Sequence, residues 1–206
     1  LPLSFDGQRP PALAPAQAVA AGTGVWDEHA AGRLFSAIGV PGPATAVFNP
    51  GDAAPDIPGP LAVKVLSPDI LHKSDAGLVA LGVDPAALPA TAATLLARAR
   101  AAFPQARLQG VLVQPMQRGL AEVILGWRMD AEAGPIVVLG MGGVTAELRP
   151  QISVRVAPVD EATAREMIAE LPDLRALAGY RNLPRGDLDA LARAVADFSR
   201  LGLALP

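Results

Sequence analysis

Apolar residues at Ala30, Leu34 and Ile38 recur at helical spacing behind Asp27, a residue suited to the N-cap. Gly39 and Pro41 stop the pattern, so a short helix is predicted there. Thr45 to Phe48 reads as a strand ahead of the turn-rich stretch from Asn49 to Pro60, and Leu61 to Leu66 reads as a stronger one. A polar loop, Ser67 to Ala76, separates that strand from another at Leu78 to Val83. Leu88, Leu95, Leu96, Ala99 and Phe103 then fall on one helical stripe, which Pro104 closes. Strand-like runs follow at Leu108 to Val113, Glu122 to Trp127, Ile136 to Leu139 and Ile152 to Val156, each bounded by Gly, Pro or polar turn residues. The last stretch is helical. Ala164, Met167, Ile168 and Leu171 follow an Asp160 cap, and Leu188, Leu191, Val195, Phe198 and Leu201 make a second stripe.

Strands and helices are thus mixed rather than strictly alternating, which favours an α+β arrangement in two layers over one doubly wound sheet. Residues 1 to about 24 are rich in Pro, Ala and Gly and follow neither period, as a linker or arm would. Half of the 206 residues are apolar (51%), enough for one sizeable core or two small subdomains sharing a cleft. The 17 Lys+Arg are scattered among 20 Asp+Glu, for a net charge of -3, so no basic face is available to neutralise a run of nucleic-acid phosphates. Without cysteine there is neither a disulfide framework nor a thiolate metal site, and His29 and His72 alone cannot build a multi-histidine centre. The N-terminus lacks a basic start followed by an apolar run, and no segment approaches the roughly 20 apolar residues of a membrane span. A soluble, cytoplasmic protein is expected, with further sequence upstream of Leu1.

Lys64 interrupts an otherwise apolar strand and, by strand alternation, shares a face with Ala62 and Leu66 rather than with Val63 and Val65. Either that face is solvated, or the ammonium clamps a phosphate. The loop that follows, Ser67-Pro68-Asp69-Ile70-Leu71-His72-Lys73-Ser74-Asp75-Ala76-Gly77, carries one of the two histidines. An imidazole with an ordinary pKa of about 6.5 is largely neutral near pH 7, so it can attack phosphorus and later release it, and Lys73 would favour the anionic product. A lone loop histidine is otherwise a surface residue. Gly140-Met141-Gly142-Gly143 invites a phosphate-loop reading, but Thr145 spoils the dinucleotide fingerprint and no Gly-Lys-Ser/Thr follows; a tight turn explains the glycines equally well. Glu122 and Glu147 are acids in or beside strands, suited to a ribose hydroxyl or a magnesium ion, or simply exposed.

Taken as an ordered series, these segments resemble the ATP-grasp domain of the NDP-forming acyl-CoA synthetases, including the ADP-forming acetyl-CoA synthetases and the related acyl-CoA ligase and protein acetyltransferase fusions. The series runs from Ala62-Val63-Lys64-Val65 and Ser67 to Asp75 through Val111 to Met116 and Glu122 to Gly126. It continues with Gly134 to Gly143, Glu147-Leu148, Arg155-Val156-Ala157-Pro158 and Gly179-Tyr180-Arg181, and so spans roughly residues 25 to 204. Ser67 to Asp75 is its most specific segment. The resemblance implies an arm at 1–24 and two α+β subdomains, 25–117 and 118–206, closing around a nucleotide cleft. Lys64 would meet the phosphates of ATP or ADP, Gln114 and Met116 would lie on the strand passing the adenine, and Glu122 would sit near the ribose. His72 matches a histidine that can carry the phosphoryl group between a distant phosphohistidine and the nucleotide. The reaction implied is the interconversion of acyl-CoA, ADP and phosphate with acid, CoA and ATP, assisted by Mg2+. CoA would be bound by a partner domain or subunit of the succinyl-CoA synthetase type, with a small acyl molecule as the other substrate.

Three departures from the family pattern stand out. Gly77-Leu78 replaces a glycine pair, Gly119-Leu120-Ala121 replaces a glycine-glycine approach to Glu122, and Arg181-Asn182 stands where Arg-Gly is expected. The chain also ends at Leu203-Ala204-Leu205-Pro206, before the strand that brings Glu and Asn-Pro to magnesium in the family, so an inactive fragment is expected and no metal ligand is assigned. The alternative is a degenerate nucleotide-binding module that regulates or scaffolds a larger acyltransferase fusion.

Overall fold

The computed structural model describes residues 26–40, 42–143, 150–179, 181 and 184–204; the expected arm over 1–24, Glu147, Tyr180 and Asn182 lie outside the described residues. The chain divides into two compact units. One takes Pro41–Arg118 together with the segment through Leu34, and the other takes Phe35–Val40 and the chain from Gly119 onward.

Helix α1 (Glu28–Ala37) starts where the sequence predicts, with the Asp27 carboxylate accepting the Ala30 N–H at 2.8 Å. The first unit's sheet has four antiparallel strands in the order β1 (Ala46–Phe48), β4 (Gly110–Pro115), β2 (Leu61–Leu66), β3 (Val79–Val83). Alternation divides β2 into two faces. Val63 and Val65 point with Val111 and Val113 into a core that also takes Leu88, Ala92, Leu95, Leu96 and Ala99 of helix α2 (Leu88–Ala102). Strand β4 begins two residues later than its apolar run because Gly110 has φ +124°, and a Cβ there would lie 2.9 Å from the Phe48 carbonyl oxygen. Only glycine lets β4 come so close to the end of β1.

The second unit's sheet is β5 (Val123–Asp130), β6 (Gly134–Met141), β7 (Ile152–Val156), antiparallel throughout. β5 and β6 pair over eight residues each, longer than their apolar runs suggest, because Asp130 closes the turn by accepting the N–H groups of Glu132 and Ala133 at 3.1 Å. Helix α3 (Glu161–Ala169) is capped by Asp160, which accepts the Thr163 N–H at 2.8 Å. The stripe predicted through Leu171 breaks there because Pro172 opens a separate short helix, α4 (Pro172–Ala176), with Leu171 as its N-cap. These helices and α5 (Leu188–Ala204) bury Met167, Ile168, Leu171, Leu174, Ala192 and Val195 against Val137 and Leu139. Ser199 is fully buried in this layer, where its hydroxyl accepts the Val159 N–H at 3.0 Å and donates to the Ala196 carbonyl at 2.7 Å. Among the described residues no helix is long and apolar enough to cross a membrane.

Candidate functional site

Lys64 lies in the middle of β2, opposite Val79 on one side and Leu112 on the other. Gln114 is the partner of Ala62, so Lys64 and Gln114 occupy the same face of neighbouring strands, opposite to the face that packs on α2. Around Lys64 that face is largely covered, because Ala62, Leu66 and Leu112 are buried, while Lys64 and Gln114 are partly open and Leu81, at the edge strand, is exposed. Met116 keeps the parity of Gln114 just beyond the strand end, where its N–H donates to the Pro60 carbonyl at 2.8 Å; its side chain is exposed.

The loop leaving β2 is held at several points. Asp69 receives two bonds from the Arg107 guanidinium, at 3.0 Å from Nε and 2.7 Å from Nη2, and a third from the Arg107 backbone N–H at 2.8 Å. These bonds hold its carboxyl at about 2, well below the usual 3.8, the Arg107 side chain being the larger cause and the backbone N–H the next. Ser67 is buried, and its hydroxyl accepts the Asp69 N–H at 3.2 Å. At the far end Arg98 Nη1 donates to the Gly77 carbonyl at 2.7 Å, and Gly77 has φ +63° with the guanidinium 2.7 Å from where a Cβ would be. Ile70 and Leu78 are buried anchors on either side. Between them Leu71 and His72 are exposed, so the imidazole is presented at the surface of a well-tethered loop.

Lys73 follows, with its side chain only 11% exposed, and pairs at 3.5 Å with one oxygen of Glu28; Lys64 stands 3.8 Å from the other oxygen of the same carboxylate. A single carboxylate therefore joins the strand lysine and the loop lysine. Nothing in the sequence pattern around Glu28 signals this contact, since Glu28 reads only as an acid in the first turn of a helix. The Arg107 and Arg98 tethers were equally invisible, each being a surface arginine by pattern.

Glu122 lies in the second unit, just before β5, and is exposed. Its carbonyl accepts the Gly142 N–H at 2.8 Å, and Cβ atoms built on Gly142 and Gly143 would stand 3.2 Å from the Glu122 side chain. The glycine-rich segment and the acid are thus one local feature: the glycines make room for Glu122. A cavity of about 590 Å³ elsewhere in this unit is lined by Arg155, Asp160, Thr163 and Arg200; it takes in Arg155, Val156 and Pro158 of the family series but none of Lys64, His72, Gln114, Met116 and Glu122. Its arginines are already engaged, Arg155 by Glu170 and Arg200 by Asp197. Among the described residues no three His, Asp or Glu side chains are grouped as a metal site requires, so Mg2+ is given no ligand set here.

The two antiparallel sheets with their helices, and a lysine set on a strand beside a histidine-bearing loop, define an ATP-grasp protein: residues 17–206 match the ATP-grasp domain family, to which this chain belongs. It is 37% identical over 187 residues to acetate–CoA ligase (ADP-forming) I of Archaeoglobus fulgidus, covering 85% of this chain and 27% of that protein. It is 33% identical over 190 residues to the beta subunit of acetate–CoA ligase (ADP-forming) II of Pyrococcus furiosus, covering 90% of this chain and 80% of the subunit. Among solved structures it is similar to the dinucleotide-forming acetyl-coenzyme A synthetase 1 of Ca. Korarchaeum cryptofilum in complex with coenzyme A, Ca-AMPCP and HgCl+. That match has a TM-score of 0.80 and 30% identity, and covers 88% of this chain and 82% of that one. The chain thus spans about a quarter of the Archaeoglobus protein and four fifths of the Pyrococcus subunit.

Proposed function

We propose that this chain is the nucleotide-binding part of an NDP-forming acyl-CoA synthetase and that His72 relays a phosphoryl group to ADP. The observation that carries the reading is the convergence of Lys64 and Lys73 on one carboxylate, next in sequence to an exposed histidine. Two ammonium groups drawn to a common anion are suited to phosphate oxygens, and a neutral imidazole can accept phosphorus. Lys64 would hold the phosphates, while Gln114 and Met116, on the strand face it shares, would meet the base. Glu122, in its own unit, is proposed as an acceptor for ribose hydroxyls.

The relay involves two displacements. A phosphorus–nitrogen bond on a donor histidine of the CoA-binding partner breaks as one forms to His72. That bond then breaks as a terminal β-phosphate oxygen of ADP bonds to phosphorus, which gives ATP and restores the imidazole. The chain's own part is to present the imidazole on a tethered loop and to offset developing negative charge with Lys64 and Lys73. The alternative of a degenerate regulatory or scaffold module rests on Leu78 and Asn182, and Leu78 is a fully buried packing residue rather than a site-facing one.

The test is acid-labile phosphate labelling of the full-length protein with peptide mapping. His72→Ala is expected to lose the label and turnover while ATP binding is nearly unchanged. Lys64→Ala is expected to weaken ATP binding and to cost on the order of a hundredfold in rate, about 3 kcal/mol. Normal turnover with His72→Ala, and no label on its peptide, would leave only the nucleotide-binding half of the proposal.

A further inference from the structure

We infer that Glu28 is the resident counter-ion of a two-lysine anion site, holding the place that a phosphoryl group takes, so that the chain carries its own competitor for an anionic ligand. This rests on the nucleotide reading of Lys64 and extends it to Lys73 and Glu28.

The argument starts from unequal burial. The Lys73 side chain is 11% exposed and that of Lys64 29%, whereas that of Glu28 is 41% exposed. The cations are withdrawn into the protein and need an anion; the anion at the rim can return to water. The separations of 3.5 and 3.8 Å exceed the roughly 2.7–2.9 Å of close charge-assisted bonds, so Glu28 balances the two lysines without locking onto either. A phosphoryl group brings up to about two charges and three acceptor oxygens, against one charge and two oxygens for the carboxylate, and so serves both ammonium groups better. Displacing Glu28 leaves helix α1 intact, because its N-terminus is capped by Asp27 rather than by Glu28. Lys73 is the chain neighbour of His72, so an anion held there lies beside the residue proposed to carry phosphorus.

Isothermal titration of this chain with inorganic tripolyphosphate, and separately with ATP, tests the inference. Glu28→Gln, which keeps the shape and removes the charge, is expected to bind tripolyphosphate roughly fivefold more tightly than the parent chain, and Glu28→Ala to behave alike. Lys73→Gln is expected to bind it several-fold more weakly. If Glu28 merely held the lysines in order, its loss would weaken binding instead. Unchanged or weaker binding by both Glu28 variants overturns the inference, as does an indifferent Lys73→Gln or a complete lack of tripolyphosphate binding. Tripolyphosphate binding that follows the expected pattern while ATP is refused would sink the nucleotide reading and leave the anion site standing.

Discussion

Leu78→Gly restores the glycine pair that the family pattern places after the histidine loop, and its outcome distinguishes a packing role from a functional one. Leu78 is fully buried, within the same core as Val63, Ile70 and Leu95. Its backbone is also fixed, its N–H donating to the Lys73 carbonyl at 2.8 Å and its carbonyl accepting the Val65 N–H at 3.0 Å. Removing a fully buried leucine side chain down to Cβ costs about 2–5 kcal/mol, and the further step to glycine adds about 0.5–1 kcal/mol of backbone entropy. A loss of about 3–6 kcal/mol is expected. With a urea slope of about 2 kcal/mol per molar, the unfolding midpoint of this unit should fall by roughly 2 M. Leu81→Ala in the next strand, where the side chain is 65% exposed, should stay within about 0.5 kcal/mol of the parent. Urea titration followed by far-UV circular dichroism, with ATP affinity measured on the same samples, is the assay. A loss below about 1 kcal/mol, or a gain in ATP affinity with Leu78→Gly, would refute the packing argument.

The clamp between Asp69 and Arg107 makes a pH prediction. A carboxyl lowered from 3.8 to about 2 contributes stability that is complete above its ordinary value and is lost as pH falls through about 2. The urea midpoint of Asp69→Asn should therefore lie below that of the parent at pH 7, and the two should converge as the pH approaches 2; a pH-independent gap would show that the shift does not arise from this pair. Ser199→Ala leaves the buried Val159 N–H without its acceptor and should cost about 1–3 kcal/mol in thermal or urea unfolding, whereas a neutral result would mean that water replaces the hydroxyl.

Much of the fold was legible because apolar period and capping chemistry agree along the chain. β2 and β7 lie where their runs place them, and Asp27 and Asp160 cap the helices they were expected to start. Boundaries moved where a physical cause outside the local pattern intervened: the close approach at Gly110, the full pairing of β5 with β6, and the break at Pro172. In the site, the face that Lys64 shares with Ala62 and Leu66 followed from alternation alone, whereas Gln114 was placed on that face only by the register of β4 against β2. The bond between Glu28 and the two lysines could not be read that way, because it joins a helix start, a strand and a loop that only tertiary structure brings together.

The position of Lys64 in the pleat also bears on how such a site can change over evolutionary time. A slip of β2 by one residue would turn the ammonium into the core and Val63 with Val65 out of it, so its register is locked by oily neighbours that never meet a ligand. Foldability and the proposed recognition are thereby written on opposite sides of one strand. Under the proposed nucleotide role, substitution of the half-buried Gln114 can alter what is recognised while the valines continue to dictate the scaffold, whereas Leu66 and Leu112 on the same side are buried and remain tied to packing.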